Sequence, residues 1–337
     1  MSKEVGYLIL RSVGVILLGL LAPGCKSDGL PAPSAERAEA VNQALKNSLE
    51  LPTVSPNSVA LRLMRAEYGN IETEYGRLFD NYQKDVLHES PFQKAYDLFF
   101  PGNNVMLRYI DAWVGATKSE IAYSARGYYK MAQAGSARGN DVISKVPEEN
   151  LPAMHRYCIE ATDDFRLALE KNPKLTPAWL GLVRIAMMAD MPFSPGSVFE
   201  EAIGNDQRSQ YLRQQYMKSL EPRWGGSYEA MAAFAERCAK DIDLNPRFWS
   251  LSGAIYADMG NIYAMNGDHR RAAEMYSQAL LFGDKLDWLQ YRSNALSKCG
   301  EYDKALSDVE RILFYSPGHE AAPAMASRIK QMQARNE

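Results

Sequence analysis

Histidine and cysteine are scarce, with four of each among 337 residues. His88, His155, His269 and His319 have no neighbour at metal-ligand spacing, so no zinc site is expected, and no other metal or cofactor is either. With Cys25 set aside, Cys158, Cys238 and Cys299 cannot pair completely; an oxidising compartment would allow one disulfide and one buried thiol, and the sequence leaves open whether that disulfide forms. A nucleophilic cysteine needs a base, and only Cys158 has a histidine close in sequence, His155. The chain lacks a G-x-S-x-G elbow, a phosphate loop and a dinucleotide fingerprint. Its net charge of −3 supplies no basic field for nucleic acid. Glu148-Glu149 and Asp163-Asp164 are adjacent carboxylates, which point apart on a helix and read as solvated faces. No catalytic constellation emerges, and the expectation is a protein that is not an enzyme.

What the chain does have is a repeat. Between Gly253 and Pro317, Tyr256, Gly260, Tyr263, Gly267, Ala272, Tyr276 and Ala279 return 33 residues later as Leu289, Ser293, Leu296, Gly300, Ala305, Val309 and Ile312. Large, small and large residues at i, i+4 and i+7 mark one face of a helix. Gly267 and Gly300 should end the first helix of each unit, since glycine adopts the left-handed backbone without strain. Asp268 and Glu301 then open the second helix on the side its dipole favours. Pro317 closes the second unit, and Ala322, Met325, Ala326 and Ile329 begin a third copy that ends as a single capping helix. A period of this length implies helical hairpins stacked in series, an all-α solenoid, with an ordinary helical bundle as the alternative.

The spacing of Ala305, Val309, Ile312 and Pro317 resembles the tetratricopeptide repeat, although Asp284 stands where the first unit would carry proline. Ala161, Phe165, Ala168 and Pro173 follow the same spacing, with Trp179, Leu182 and Ala186 after them, so the solenoid is expected to begin near residue 155. The string from Trp224 to Met231, taken with Ser124–Tyr129 and Ala137-Arg138-Gly139, resembles an uncharacterised bacterial family, domain of unknown function 4034, over roughly residues 57–250. That family implies a helical domain joined to tetratricopeptide-like repeats and transfers no activity.

The N-terminus has its own pattern. Lys3 precedes an apolar run from Val13 to Leu21, and Leu21-Ala22-Pro23-Gly24-Cys25 resembles a bacterial lipobox. The resemblance implies a signal peptide over 1–24, an acylated Cys25, and a body in the periplasm. Lys26 after the cysteine implies sorting to the outer membrane of the cell envelope. An uncleaved anchor helix over Tyr7–Leu21 is the alternative. The expected organisation is therefore signal peptide 1–24, lipidated cysteine and flexible tether 25–56, helical domain with degenerate repeats 57–222, and repeats with a capping helix 223–337. Within the tether, Ala35–Leu49 could form a short helix. Phe199–Leu220 and Tyr228–Lys240 read as helices, the latter capped by Ser227; a further helix over Ser119–Ala134 should stop at Gly135.

Two sets of residues are candidates for binding. On the first helices of the repeats, Asn261 and Asn294 lie 33 apart, with Gln290 and Lys298 nearby. In tetratricopeptide proteins such helices line a groove, and some members use an asparagine ladder with lysines to hold a carboxylate. Here Ala257 and Gln290 occupy the lysine positions, so a groove for an extended or helical peptide is expected instead. The second set is Arg126, Arg138, Trp224 and Glu229, a ligand patch if the 57–250 region were an envelope hydrolase or small-ligand-binding protein. The bland reading of that set is arginines tied to buried carboxylates and an indole packed beside the Gly225-Gly226 turn. The preferred expectation is a membrane-anchored scaffold that binds an envelope protein or peptide.

Overall fold

The computed structural model describes residues 30–99, 104–139 and 146–336. Among them every regular element is a helix, and no strand occurs. The expected signal peptide and Cys25 lie outside the described residues. No described helix is long and apolar enough to cross a membrane. In chain order the α-helices are α1 (Ala35–Glu50), α2 (Pro56–Met64), α3 (Tyr68–Lys84), α4 (Glu89–Asp97), α5 (Asn104–Thr117), α6 (Glu120–Arg138), α7 (Leu151–Lys171) and α8 (Thr176–Met188). There follow α9 (Pro195–Asn205), α10 (Gln210–Ser219), α11 (Tyr228–Ala239), α12 (Gly253–Met265), α13 (His269–Leu280), α14 (Leu286–Lys298), α15 (Tyr302–Tyr315) and α16 (Ala322–Asn336). Short 3₁₀ turns cover Val86–His88, Glu148–Asn150, Pro222–Trp224 and Pro246–Ser252.

Aromatic rings laid over glycine set the helix spacing. A Cβ on Gly181 of α8 would lie 2.3 Å from the Phe165 ring of α7, and one on Gly127 of α6 2.7 Å from it. Phe165 is thus gripped between two neighbouring helices, and α6 is the hairpin partner of α7. Close helical pairing is therefore present upstream of residue 155, where the sequence pattern starts. The same device recurs in the repeat, where a Cβ on Gly260 of α12 would lie 2.7 Å from the Tyr276 ring of α13. Adding a methyl where a close-packed ring already sits costs about 1–3 kcal/mol. Helices α12 to α16 pack each against the next in the chain.

The predicted stops are largely where the pattern put them. Gly267 and Gly300 have φ of +80° and +79°, and Asp268 and Ser227 accept from the amides of Arg271 and Ala230. Two helices differ. The stop of α6 is Gly139, with φ +80°, while Gly135 continues the helix. The expected single helix over Phe199–Leu220 is two, because Asp206 folds back to accept from the Arg208 amide and Ser209 caps Leu212.

One apolar core runs from Val54 to Met259 and includes Met231, Phe234 and Ala235 of α11, so 222/223 is not a packing boundary. A second core runs from Ala257 to Ile329. The expected flexible tether over 25–56 is a docked helix from Ala35 to Glu50. Val41 packs with Trp249 and Phe282, and it fills the space where a Gly283 side chain would be, 2.5 Å from that Cβ position. Lys46 lies over Phe314, and Asn42 accepts from the Asp284 amide at 2.7 Å. This last bond explains the missing proline of the first repeat unit. Position 284 must donate an N–H, and its carboxylate accepts from Tyr315 and pairs with Arg311.

The segments without regular structure are fixed by a buried carboxylate. Glu89 opens α4 and accepts from the Ser209 hydroxyl, from the amides of Gln210 (2.9 Å) and Tyr211 (3.2 Å), and from Arg247 Nη2 (3.1 Å). Arg247 also donates to the Val86 carbonyl at 2.7 Å. One side chain therefore ties α4 to the start of α10 and to the turn before α12. Four donors meet two carboxylate oxygens. An amide in their place presents N–H to N–H and leaves Arg247 buried without its counter-charge. Glu89→Gln is expected to cost about 3–5 kcal/mol, read as the loss of unfolding free energy in a urea titration, with the far-ultraviolet helical signal retained before the transition.

Candidate functional site

The first helices of the repeat units bear two recesses that share a wall. The first, of about 390 Å³, is lined by Asn261 and Met265 of α12, His269 and Tyr276 of α13, Asn294 and Lys298 of α14, and Arg223. The second, of about 250 Å³, lies between α14 and α16 and is lined by Gln290, Ser297, Met325, Arg328 and Met332, among others. Tyr291 and Asn294 line both. All four repeat residues expected from the sequence, Asn261, Gln290, Asn294 and Lys298, are therefore on one continuous surface. Sequence reasoning missed Arg223, Tyr276, Tyr291 and Arg328. Tyr276 was read as core alone, and Arg223 lies outside the repeating pattern.

Tyr276 links core to surface. Its ring rests on Gly260 while its hydroxyl donates to Asn261 Oδ1 at 2.8 Å. Burial pushes its pKa up to about 12, so it remains a donor at any physiological pH. This bond fixes the Asn261 amide and leaves its NH₂ without a hydrogen bond among the described residues. The side chains of Gln290, Asn294, Lys298 and Arg328 likewise make no hydrogen bond or ion pair there. Met265 is 82% exposed and Tyr291 42%.

Arg223 reaches the first recess from the Pro222–Trp224 turn. Gly225 takes φ +88°, and Gly226 lies so close to the Leu220 carbonyl that a Cβ would be 2.1 Å from its oxygen. Behind the guanidinium, Nε donates to Glu221 Oε2 at 2.6 Å, and Nη2 lies 2.5 Å from the same oxygen and 3.6 Å from Asp258 Oδ1. Tyr228 donates to Asp258 Oδ2 at 3.1 Å. Two carboxyls thus share one guanidinium. Burial first, and for Glu221 also the neighbouring Asp258, raises both above their ordinary values of 4.5 and 3.8.

The second candidate set is not assembled into a site. Asp164 grips Arg126 through Nε (2.9 Å) and Nη2 (2.7 Å), and Asp111 takes Nη1 at 3.2 Å. Arg138 ends the same helix and donates to the Gly139 carbonyl. Trp224 is 43% exposed beside Arg223, and the Ser227 hydroxyl holds the Glu229 carboxyl below its usual range at the start of α11. No described hydrogen bond or recess joins Arg126 to Trp224 or Glu229. Another recess, lined by Phe199, Phe234, Arg213, Arg237 and Cys238, has its arginines stacked on rings and paired with Asp241 and Glu200. Cys158, Cys238 and Cys299 are free thiols, and no cluster able to hold a metal ion occurs among the described residues.

No protein-family model matches this chain, and no curated protein matches it.

Two outcomes follow from these environments. The folded values of Glu221 and Asp258 lie above the unfolded ones, so the fold retains protons that the unfolded chain releases. Their stabilising contribution is fully present below the unfolded values and is lost as pH rises through the folded ones. Asp258→Asn should therefore flatten the decline in melting temperature as pH rises above the ordinary carboxylate range; parallel curves for the two proteins would refute the linkage. Burial also pushes the Cys158 and Cys238 thiols up to about 11. At pH 8 iodoacetamide should label the half-buried Cys299 first and leave those two largely unmodified until the chain unfolds, as peptide mapping would record.

Proposed function

We propose that this chain is a membrane-anchored envelope protein that binds another protein on the surface shared by α12, α14 and α16. The arrangement of those helices is read as a tetratricopeptide-like solenoid, with α16 as its cap. Support comes from the 33-residue recurrence in sequence, from ring-over-glycine pairing within the units, and from packing in chain order between α12 and α16. Lipidation at Cys25 and a periplasmic position at the outer membrane rest on the lipobox-like sequence alone.

One observation carries the binding role. Four polar or charged side chains, Gln290, Asn294, Lys298 and Arg328, stand unengaged among the described residues, beside exposed Met265 and Tyr291. The buried-edge cations of the other candidate set are paired off instead, as Arg126 is with Asp164 and Asp111. A surface with apolar contact area and unspent donors has the makings of a peptide-binding groove.

The test is affinity capture of the full chain from its native membranes, run in parallel with a Tyr291→Ala/Asn294→Ala variant. Both positions are exposed, so the fold should be kept, as an unchanged melting temperature would verify. A partner recovered with the parent chain should fall at least about tenfold with the variant, equivalent to about 1.4 kcal/mol. Equal recovery would place binding on another surface.

A further inference from the structure

Charge is distributed unevenly between the two sides of the repeat. On one side a recess lined by Arg270, Glu274, Arg292, Glu301, Lys304 and Asp308 is internally matched. There Arg292 bonds Asp308 through Nε (2.9 Å) and Nη2 (2.6 Å), and Lys304 pairs with Glu301. On the other side the two joined recesses are lined by the cations Arg223, Lys298 and Arg328, and by no carboxylate among the described residues. The whole chain carries a net −3, so this surplus of cations runs against the background. Lys298 and Arg328 make no ion pair there. Cations left without partners on one surface favour an anionic occupant.

Building on the groove reading above, we propose that this surface selects an acidic segment of its partner, and that Arg223 is a specificity-determining cation supplied from outside the repeat. Glu221 and Asp258 hold the rear of the guanidinium, while Nη1 has no partner among the described residues. The turn carrying it is fixed by Gly225 and Gly226. A guanidinium held this way loses little freedom when it accepts a ligand carboxylate, unlike a lysine on a free stem. Met265, Met325 and Met332 line the same surface, and flexible thioethers accommodate apolar side chains of varied shape. The occupant is therefore a protein segment in which carboxylates alternate with apolar residues.

The experiment uses the purified full chain in detergent and a fluorescein-labelled twelve-residue peptide of alternating Glu and Leu, beside its Gln-for-Glu twin. Fluorescence anisotropy should give the acidic peptide about tenfold or greater preference, weakening as salt is added. Arg223→Gln should carry that preference most of the way to unity. Lys298→Gln/Arg328→Gln, at positions away from the core, provides a second reading should Arg223→Gln disturb the turn; it too should lower the ratio several-fold. Equal binding of the two peptides would overturn acid selection and leave the groove reading standing. Binding of neither would overturn both. Acidic-peptide binding that ignores all three substitutions would overturn the assignment to this surface. Binding of vesicles rich in anionic lipid that is lost in Arg223→Gln while neither peptide binds would keep the surface and overturn a protein segment as its occupant.

Discussion

The contact on which the rest depends is a ring resting on a glycine. Phe165 between Gly127 and Gly181, and Tyr276 over Gly260, let three pairs of helices approach more closely than any side chain with a Cβ would permit. Close approach turns a pair of amphipathic helices into a rigid plate, because interiors packed at this density resist displacement. In the repeat the same ring does more. Since its plane is fixed by Gly260, its hydroxyl is delivered to Asn261, and the orientation of a surface amide follows from a packing contact beneath it. The geometry of the groove is in this sense a consequence of the core.

Helix-on-helix packing does not explain how the irregular segments are held; buried polar groups do. Glu89 satisfies donors from residues 209, 210, 211 and 247, and Asp284 draws in Asn42, Arg311 and Tyr315. Each closes long loops of chain, and each would be costly to leave half-made, since a buried charge without its partners loses far more than one hydrogen bond. The first cluster joins α4 and α10 to the turn that precedes the repeat. The second pins α1 to the seam where the two apolar cores meet. The helical array and the region before it are therefore connected through polar ties as well as through the shared residues around Met259.

These ties also mark where the sequence stops being readable. Periodic features were legible: the face of Tyr256, Gly260 and Tyr263, the stops at Gly267 and Gly300, the cap at Ser227. Each depends on residues within one or two turns of each other, so local spacing carries the information. The break at Asp206–Ser209 was not legible, because the partner that stabilises Ser209 there is Glu89, 120 positions away. The docking of α1 was hidden for the same reason. Its buried set is just Val41, Ala44 and Ser48, and the surface receiving it comes from residues 249 and 282–284. Of the site, the repeating members Asn261 and Asn294 were visible as a pair 33 apart, whereas Arg223 belongs to a turn that no periodicity reaches. The pairing of Phe165 with Gly127 was obscured by the long connection between α6 and α7, which stretches an offset that is 16 residues from Gly260 to Tyr276.

The docking of α1 changes what a proposed anchor at Cys25 would do. Had residues 25–56 been a free tether, the repeat surface could have wandered far from the membrane. With Ala35–Glu50 fastened to the seam at Trp249 and Phe282, the chain between Cys25 and Ser34 sets the limit, and at about 3.3–3.6 Å per residue it spans roughly 30 Å at most. A short connection raises the effective concentration of the body at the surface, and a helix pinned along its length transmits orientation as well as distance. The pin is polar as well as apolar, through Asn42 on the Asp284 amide and Lys46 over Phe314, so it constrains the rotation of α1 about its axis. Asp284 in turn accepts from Tyr315, the last residue of α15, which packs between α14 and α16. A direct mechanical path thus leads from the residue after the tether to the helices that bear the groove, and it runs through the one position where the repeat gives up its proline.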